Sequence, residues 1–235
     1  MDETGGPQPD STRLKRTFRK LVRHDVRRWA LTGGMAIGCH DPRSPRALND
    51  IDFVAPTFDS IPTSLAADFL FRHVHPHDPP GKHLVQFIDP ETALRVDVFR
   101  ACGATLQRAT HADLGFGPMA VVSMADLAAR AARLSLDLAH GGPVPAKHAR
   151  DYLNLVTAVS PAELAEAWAD HRKPSHPTEF CEVRTMLEDL IPACSDLLIT
   201  PEYSKNPDEI CPRCHAIAAF PLADPRAILA LLGYC

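Results

Sequence analysis

The 235-residue chain carries 25 Lys and Arg against 29 Asp and Glu, a formal charge of −4, and 45% apolar residues. That is enough for a real core in one large or two small domains. No apolar run approaches membrane-spanning length, the opening MDETGGPQPD lacks the basic and apolar regions of a secretory leader, and seven cysteines are an odd number for a disulfide framework. The expectation is a cytoplasmic protein with reduced thiols and no membrane partner.

The charge is unevenly placed. Residues 11–30 hold eight Lys and Arg against Asp25, a net of +7, which leaves −11 for the remainder of the chain. A basic stretch on an acidic body suits contact with phosphates or nucleic acid, although a charge run more commonly marks a solvated helix face. Residues 1–10 read as a disordered tail. A helix follows from Ser11, with Leu14, Phe18, Leu21, Val22 and Val26 at helical spacing, and leads into a strand over Trp29–Thr32.

The stretch LTGGMAIGCHDPRSPRALNDIDFV, Leu31–Val54, organises the rest. It predicts a strand ending in Gly33-Gly34, a helical turn, a polar loop stiffened by Pro42 and Pro45, and a second strand opening Asp50-Ile51-Asp52. Side chains alternate along a strand, so Asp50 and Asp52 share a face with Cα atoms roughly 6.6 Å apart. Two carboxylates that close repel unless a cation lies between them, and oxygen ligands on a rigid strand suit Mg²⁺. Gly33 and Gly34 let backbone N–H groups approach an anion at the start of a helix. Taken singly, the glycine pair also fits an ordinary tight turn, and the Asp-x-Asp a solvated edge. Arg43 and Arg46 carry forked donors suited to phosphate oxygens. Cys39 reads as a small buried filler and His40 as a loop residue.

Residues 61–73 predict a helix through Leu65, Phe69 and Phe71. The segment HVHPHDPPGKH then places His73, His75, His77 and His83 in or beside a loop. Alternate histidines can ligate Zn²⁺ or Ni²⁺, but three prolines favour a plain surface loop. Two alternating runs, His83–Ile88 and Leu94–Phe99, joined by Asp89-Pro90-Glu91-Thr92, predict a hairpin. Asp97 stands among apolar neighbours on its second strand.

Beyond Val122 the pattern turns helical. Ser123-x-x-Asp126 opens a helix that stops at Gly141-Gly142-Pro143, and a second carries Lys147, His148, Arg150 and Asp151. Ser160-Pro161-Ala162-Glu163 opens a third. A longer helix is predicted over Pro177–Ile191, stopping before Pro192, and a closing one over Asp224–Leu232. Cys211-Pro212-Arg213-Cys214-His215 offers half of a structural zinc site. No second Cys-x-x-Cys exists to complete it, so free or buried thiols are the preferred reading.

The order strand, Gly33-Gly34-x-Ala36, Arg46, then Asp50-x-Asp52 resembles the signature of the DNA polymerase beta-like nucleotidyltransferase superfamily, in its small bacterial forms such as AbiEii-type toxins and aminoglycoside nucleotidyltransferases. The resemblance covers residues 25–158. It implies an α+β fold, with a mixed, mostly antiparallel sheet flanked by helices and a C-terminal helical region. It divides the chain into the tail at 1–10, a nucleotidyltransferase core at 11–122 and a helical region at 123–235. It implies catalysis by Asp50, Asp52 and Asp97 holding two divalent ions, Mg²⁺ or Mn²⁺, with Gly33, Gly34, Arg46 and Lys147 binding the nucleotide. Arg150-Asp151-x-x-Asn154 matches the family's second helical motif in part, and Ala131 stands where the family's first carries a lysine. Lys147 and Asp151 also fit an i,i+4 surface pair. The implied activity moves an NMP from an NTP to a hydroxyl acceptor (RNA or tRNA, a small molecule or a protein), and the basic N-terminal helix tilts the choice to RNA. The alternative is a nucleotide- or RNA-binding module without turnover, one half of a toxin–antitoxin pair.

Overall fold

The computed structural model describes residues 11–41, 48, 50–75, 84–115, 117–200 and 220–221. Arg43, Arg46, His77, His83, the Cys211/Cys214 motif, the N-terminal tail and the closing helix lie outside the described residues. So do the side chains of His73 and His75.

The chain divides into two compact units. The first takes in the chain through Ala101 and Thr110–Val121; the second holds Cys102–Ala109 and the chain from Val122 through the later helices. The first begins with helix α1, Ser11–Leu21, and strand β1, Ala30–Thr32. Helix α2, Gly33–His40, and strand β2, Asp50–Ala55, follow. Strands β3, Leu70–His75, β4, Leu84–Ile88, and β5, Arg95–Arg100, come next, then β6, Thr110–Asp113, and β7, Pro118–Val121.

Helix α3, Met124–Ser135, opens the helical unit. The short strand β8, Val144–Pro145, leads into α4, Ala146–Val156, followed by α5, Pro161–His171, and α6, Phe180–Ala193. Strand β9, Leu198–Ile199, pairs parallel with β8. Strand β10, Phe220–Pro221, pairs with β3.

Among the described residues the main sheet runs β10-β3-β4-β5-β2-β1-β7-β6. Only β2 with β5 and β1 with β7 pair in parallel; the other pairings of this sheet are antiparallel. The protein is α+β with a mixed, mostly antiparallel sheet, as the sequence implied. The period-two pattern explains the sheet's two faces. Ile51 and Phe53 are fully buried, and Phe53 meets Phe18 of α1 and Trp29 with ring centroids 6.1 and 5.6 Å apart. Asp50 and Asp52 alternate with them and so project from the opposite face.

The hairpin joining β4 and β5 forms as expected. Residues 61–73 do not form a helix. Thr63–Ala67 makes a short 3-10 turn, and Leu70–His75 pairs with β4 as a strand. The period-two placement of Phe69 and Phe71, both buried, decided the outcome once a partner strand was there to satisfy the backbone. Helix α6 starts later than expected and carries Pro192 inside its last turn.

Part of the basic stretch is internal to the fold. Lys20 is buried, with Nζ 2.8 Å from Asp89 Oδ1 and 2.9 Å from Glu91 Oε1, and Thr17 donates to Asp89 Oδ2 at 2.7 Å. Arg13 Nε donates to the Thr92 carbonyl at 2.8 Å. Helix α1 is thereby bolted to the β4–β5 turn, three residues ahead of Arg95. Burial opposes ionisation of Asp89, yet the bonds from Lys20 and Thr17 win and hold its carboxyl below the usual range. Asp89→Ala should strip the buried Lys20 of its closest counter-charge and cost about 3 kcal/mol of unfolding free energy. Urea denaturation followed by circular dichroism measures it.

Candidate active site

The site is assembled by strand register. In the parallel pair, Asp50 lies level with Arg95 and Asp52 with Asp97. Antiparallel pairing then sets Gln86 of β4 level with Asp97, and Thr32 of β1 level with Asp52. One row across four strands therefore reads Gln86, Asp97, Asp52, Thr32. Oxygens of Asp50, Asp52 and Asp97 lie within 4.8 Å of one another. Asp97 is buried, while Asp50 and Asp52 are half-buried.

Arg95 sits among these acids. Its Nη2 bonds to Asp50 Oδ2, and its Nε stands 3.0 Å from Asp97 Oδ1. Burial weakens the guanidinium's hold on its proton, but the charges of Asp97, Asp50 and Asp52 outweigh burial and raise its pKa. Arg95 was not singled out from the sequence. The available signal was its position two residues before Asp97, which puts both side chains on one face of a strand.

Gly33 closes the other side. Its φ of +65° is a left-handed conformation that favours glycine, and a Cβ there would lie 2.0 Å from Asp52 Oδ2. The glycine thus serves two needs at once: the turn from β1 into α2, and space for the Asp52 carboxylate against the start of that helix. Gly34 follows as the next residue of the same turn, half-buried. Lys147 is half-buried on α4 in the helical unit and is not among the residues that the first unit gathers here.

The donor set suits a hard divalent cation. It is all oxygen, three carboxylates from two adjacent strands, and Gln86 Oε1 beside Asp97 in register is buried with no hydrogen-bond partner among the described residues. Such ligands match Mg²⁺ or Mn²⁺ and not the sulfur and imidazole sets of structural zinc. The free thiols among the described residues, Cys39, Cys102, Cys181 and Cys194, take no part in it.

A sheet of this order, with paired acids on one strand and a third level with them on the next, is the nucleotidyltransferase fold. Among solved structures, the chain is similar to the antibiotic-resistance factor ANT(2'')-Ia, with a TM-score of 0.50 at 15% identity over 76% of this chain and 96% of that one. It also matches an antigenic nucleotidyltransferase-like protein from Paracoccidioides brasiliensis, with a TM-score of 0.43 at 15% identity over 81% and 89% of the two chains. Neither a family model nor a curated protein matches the sequence. At these identities the likeness speaks for the fold alone. No helix among the described residues is long and apolar enough to cross a membrane.

Gly33→Ala should cost at least about 2 kcal/mol, because the left-handed backbone and the clash with Asp52 add together. Gly38→Ala, where a Cβ meets nothing within 4 Å, should instead gain up to about 1 kcal/mol from helix propensity. Paired urea melts of the two variants check the contrast.

Proposed function

We propose that the protein is a divalent-metal-dependent nucleotidyltransferase that moves an NMP from an NTP to a hydroxyl acceptor with release of pyrophosphate. The observation that carries this reading is the convergence of Asp50, Asp52 and Asp97 within 4.8 Å beside the glycine turn, on a nucleotidyltransferase sheet. Asp50, Asp52 and Asp97 would hold Mg²⁺, which when bound offsets charge on the attacking and leaving oxygens. Asp97, the more buried acid, is held by Arg95 on one side and flanked by Gln86 on the other, and orients the acceptor hydroxyl. Gly33 and Gly34 bring main-chain N–H groups to the triphosphate, and Arg46 and Lys147 are the side chains assigned to its charge. Positioning and preorganised charge supply most of the rate in this chemistry.

The carboxylates select the donor, and the acceptor is chosen by whatever lines the cleft. The fold alone is compatible with RNA, a small hydroxylated molecule or a protein as acceptor. Lys15, Arg16 and Arg19 are exposed on α1, and an exposed basic face favours a polyanionic acceptor such as RNA. A toxin–antitoxin role, with a protein partner that covers the site, is a narrower form of the same proposal.

Asp50→Asn and Asp52→Asn should each lower transfer from an α-labelled NTP by at least about a thousandfold, equivalent to about 4 kcal/mol of barrier, while circular dichroism is unchanged. EDTA should abolish transfer by the unaltered chain, and Mg²⁺ or Mn²⁺ should restore it. Labelling a total cell lysate identifies the acceptor class by which macromolecule retains the label. Undiminished transfer by both Asn variants, or transfer in EDTA, ends the proposal. Binding of Mg–NTP without any turnover would favour the module lacking catalysis.

A further inference from the structure

Arg95 stands among the oxygens that a metal would use. Strand register puts it level with Asp50 on β2 and two residues before Asp97 on its own strand, so the three side chains share one face of the sheet. Its Nη2 bonds Asp50 Oδ2 and its Nε stands 3.0 Å from Asp97 Oδ1. The guanidinium thus engages one oxygen on each of two acids in the three-carboxylate set. On its other side β4 places Ile88, which carries no acceptor to draw the charge away.

A permanent arginine–carboxylate tie looks different, and the helical unit holds one. Asp126 of α3 is fully buried, and Arg108 grips both of its oxygens, Nε to Oδ2 at 3.0 Å and Nη2 to Oδ1 at 2.7 Å. Ser123 Oγ donates to Oδ2 at 2.5 Å, while Thr105 Oγ1 and His171 Nε2 each lie 3.0 Å from Oδ1. Asp126 therefore offers an incoming cation no exposed oxygen. In the sheet, the Asp50 side chain is 19% exposed, and Arg95 divides its donors between two acids instead of closing both oxygens of one.

We propose that Arg95 is a resident counter-cation that a divalent ion displaces, so that this side chain sets the affinity of Asp50, Asp52 and Asp97 for free metal. The inference rests on the reading of those acids as metal ligands. A guanidinium stays charged at any pH the fold survives, so its charge leaves the oxygens only when the side chain moves. The acids are poorly placed to move instead. Asp97 is buried, and Asp52 is packed against Gly33, where a Cβ would lie 2.0 Å from its Oδ2. Arg95 is 16% exposed along a side chain with several torsions to turn on. Two cations repel when they share the same oxygens, and both cannot keep them. While Arg95 holds Asp50 and Asp97, the acids stay compensated and free metal binds weakly. Arg95 is in this sense a positioning residue, acting through the carboxylates it holds.

The test titrates Mn²⁺ into the full, nucleotide-free chain and follows the free ion by electron paramagnetic resonance. Arg95→Met should bind Mn²⁺ at least about tenfold more tightly than the unaltered chain, because a competing positive charge has left the site. Adding Asp50→Asn to that variant should reverse the gain, which locates the bound ion at these acids. Without metal the Met variant should melt earlier than the unaltered chain, and Mn²⁺ should raise its melting temperature by the larger amount. An arginine with a purely structural role gives the earlier melt but no gain in affinity.

Should the Met variant not fold, the unaltered chain decides the matter by nuclear magnetic resonance. The Arg95 Nε–H resonance, assigned by its loss in Arg95→Lys, should shift on addition of Mg²⁺, and its hydrogen should exchange at least about tenfold faster. Equal or weaker Mn²⁺ binding by Arg95→Met, binding by neither form, or an Arg95 resonance that saturating Mg²⁺ leaves unmoved overturns the role of Arg95. The reading of the acids is judged apart from it, by transfer from the α-labelled NTP in the unaltered chain.

Discussion

The in-register parallel pairing of β2 with β5 is the constraint on which the candidate site depends. It brings Asp52 level with Asp97 and Asp50 level with Arg95, so three carboxylates and a guanidinium share one patch of sheet. Neighbouring strands stand about 4.8 Å apart, which sets the spacing of the acids before any side chain chooses a rotamer. A slip of one residue would turn Asp97 to the apolar face and bring Val96 or Val98 into the row of oxygens. Register is fixed by the other face: Ile51, Phe53, Val96 and Val98 are all buried and would have to surface together. The apolar core therefore holds the polar site in place.

Keeping three acids so close is costly unless positive charge is near, and Arg95 supplies some of it from within the same strand. A guanidinium is bulky and directional, and that of Arg95 pairs with Asp50 and Asp97. A small divalent cation differs in that several oxygens can converge on it at once. The two kinds of counter-charge are therefore not equivalent: Arg95 lets the acids fold together, and a metal would use their shared lone pairs.

What was readable in the sequence was local. The glycine turn, the Asp-x-Asp alternation, the β4–β5 hairpin and the capping box at Ser160, with Glu163 answering it, are each written within a few residues, and each forms. What escaped depends on pairing between distant segments. Arg95 matters because of Asp50, forty-five positions earlier. Lys20 reads as one more solvated cation until Asp89 is brought to it. Residues 61–73 read as a helix, yet Leu70–His75 becomes a strand because β4 is there to pair with it. Asp126 is the sharpest case. Its part in capping α3 is visible from Ser123, yet its bonds to Arg108 and His171 come from loops and helices that no local pattern links.

The two clusters apply one rule in opposite senses. In the sheet, several carboxylates crowd together, and the arrangement favours whatever positive charge can enter. In the helical unit, one carboxylate is surrounded by donors from Arg108, Ser123, Thr105 and His171, so its charge is fully engaged. Low local polarity magnifies both effects, because a charge removed from water depends on its few fixed neighbours. A buried carboxylate does not by itself indicate a metal site or a structural tie. The ratio of acceptors to donors in its immediate surroundings separates the two: Asp52 stands among other acceptors, and Asp126 among donors.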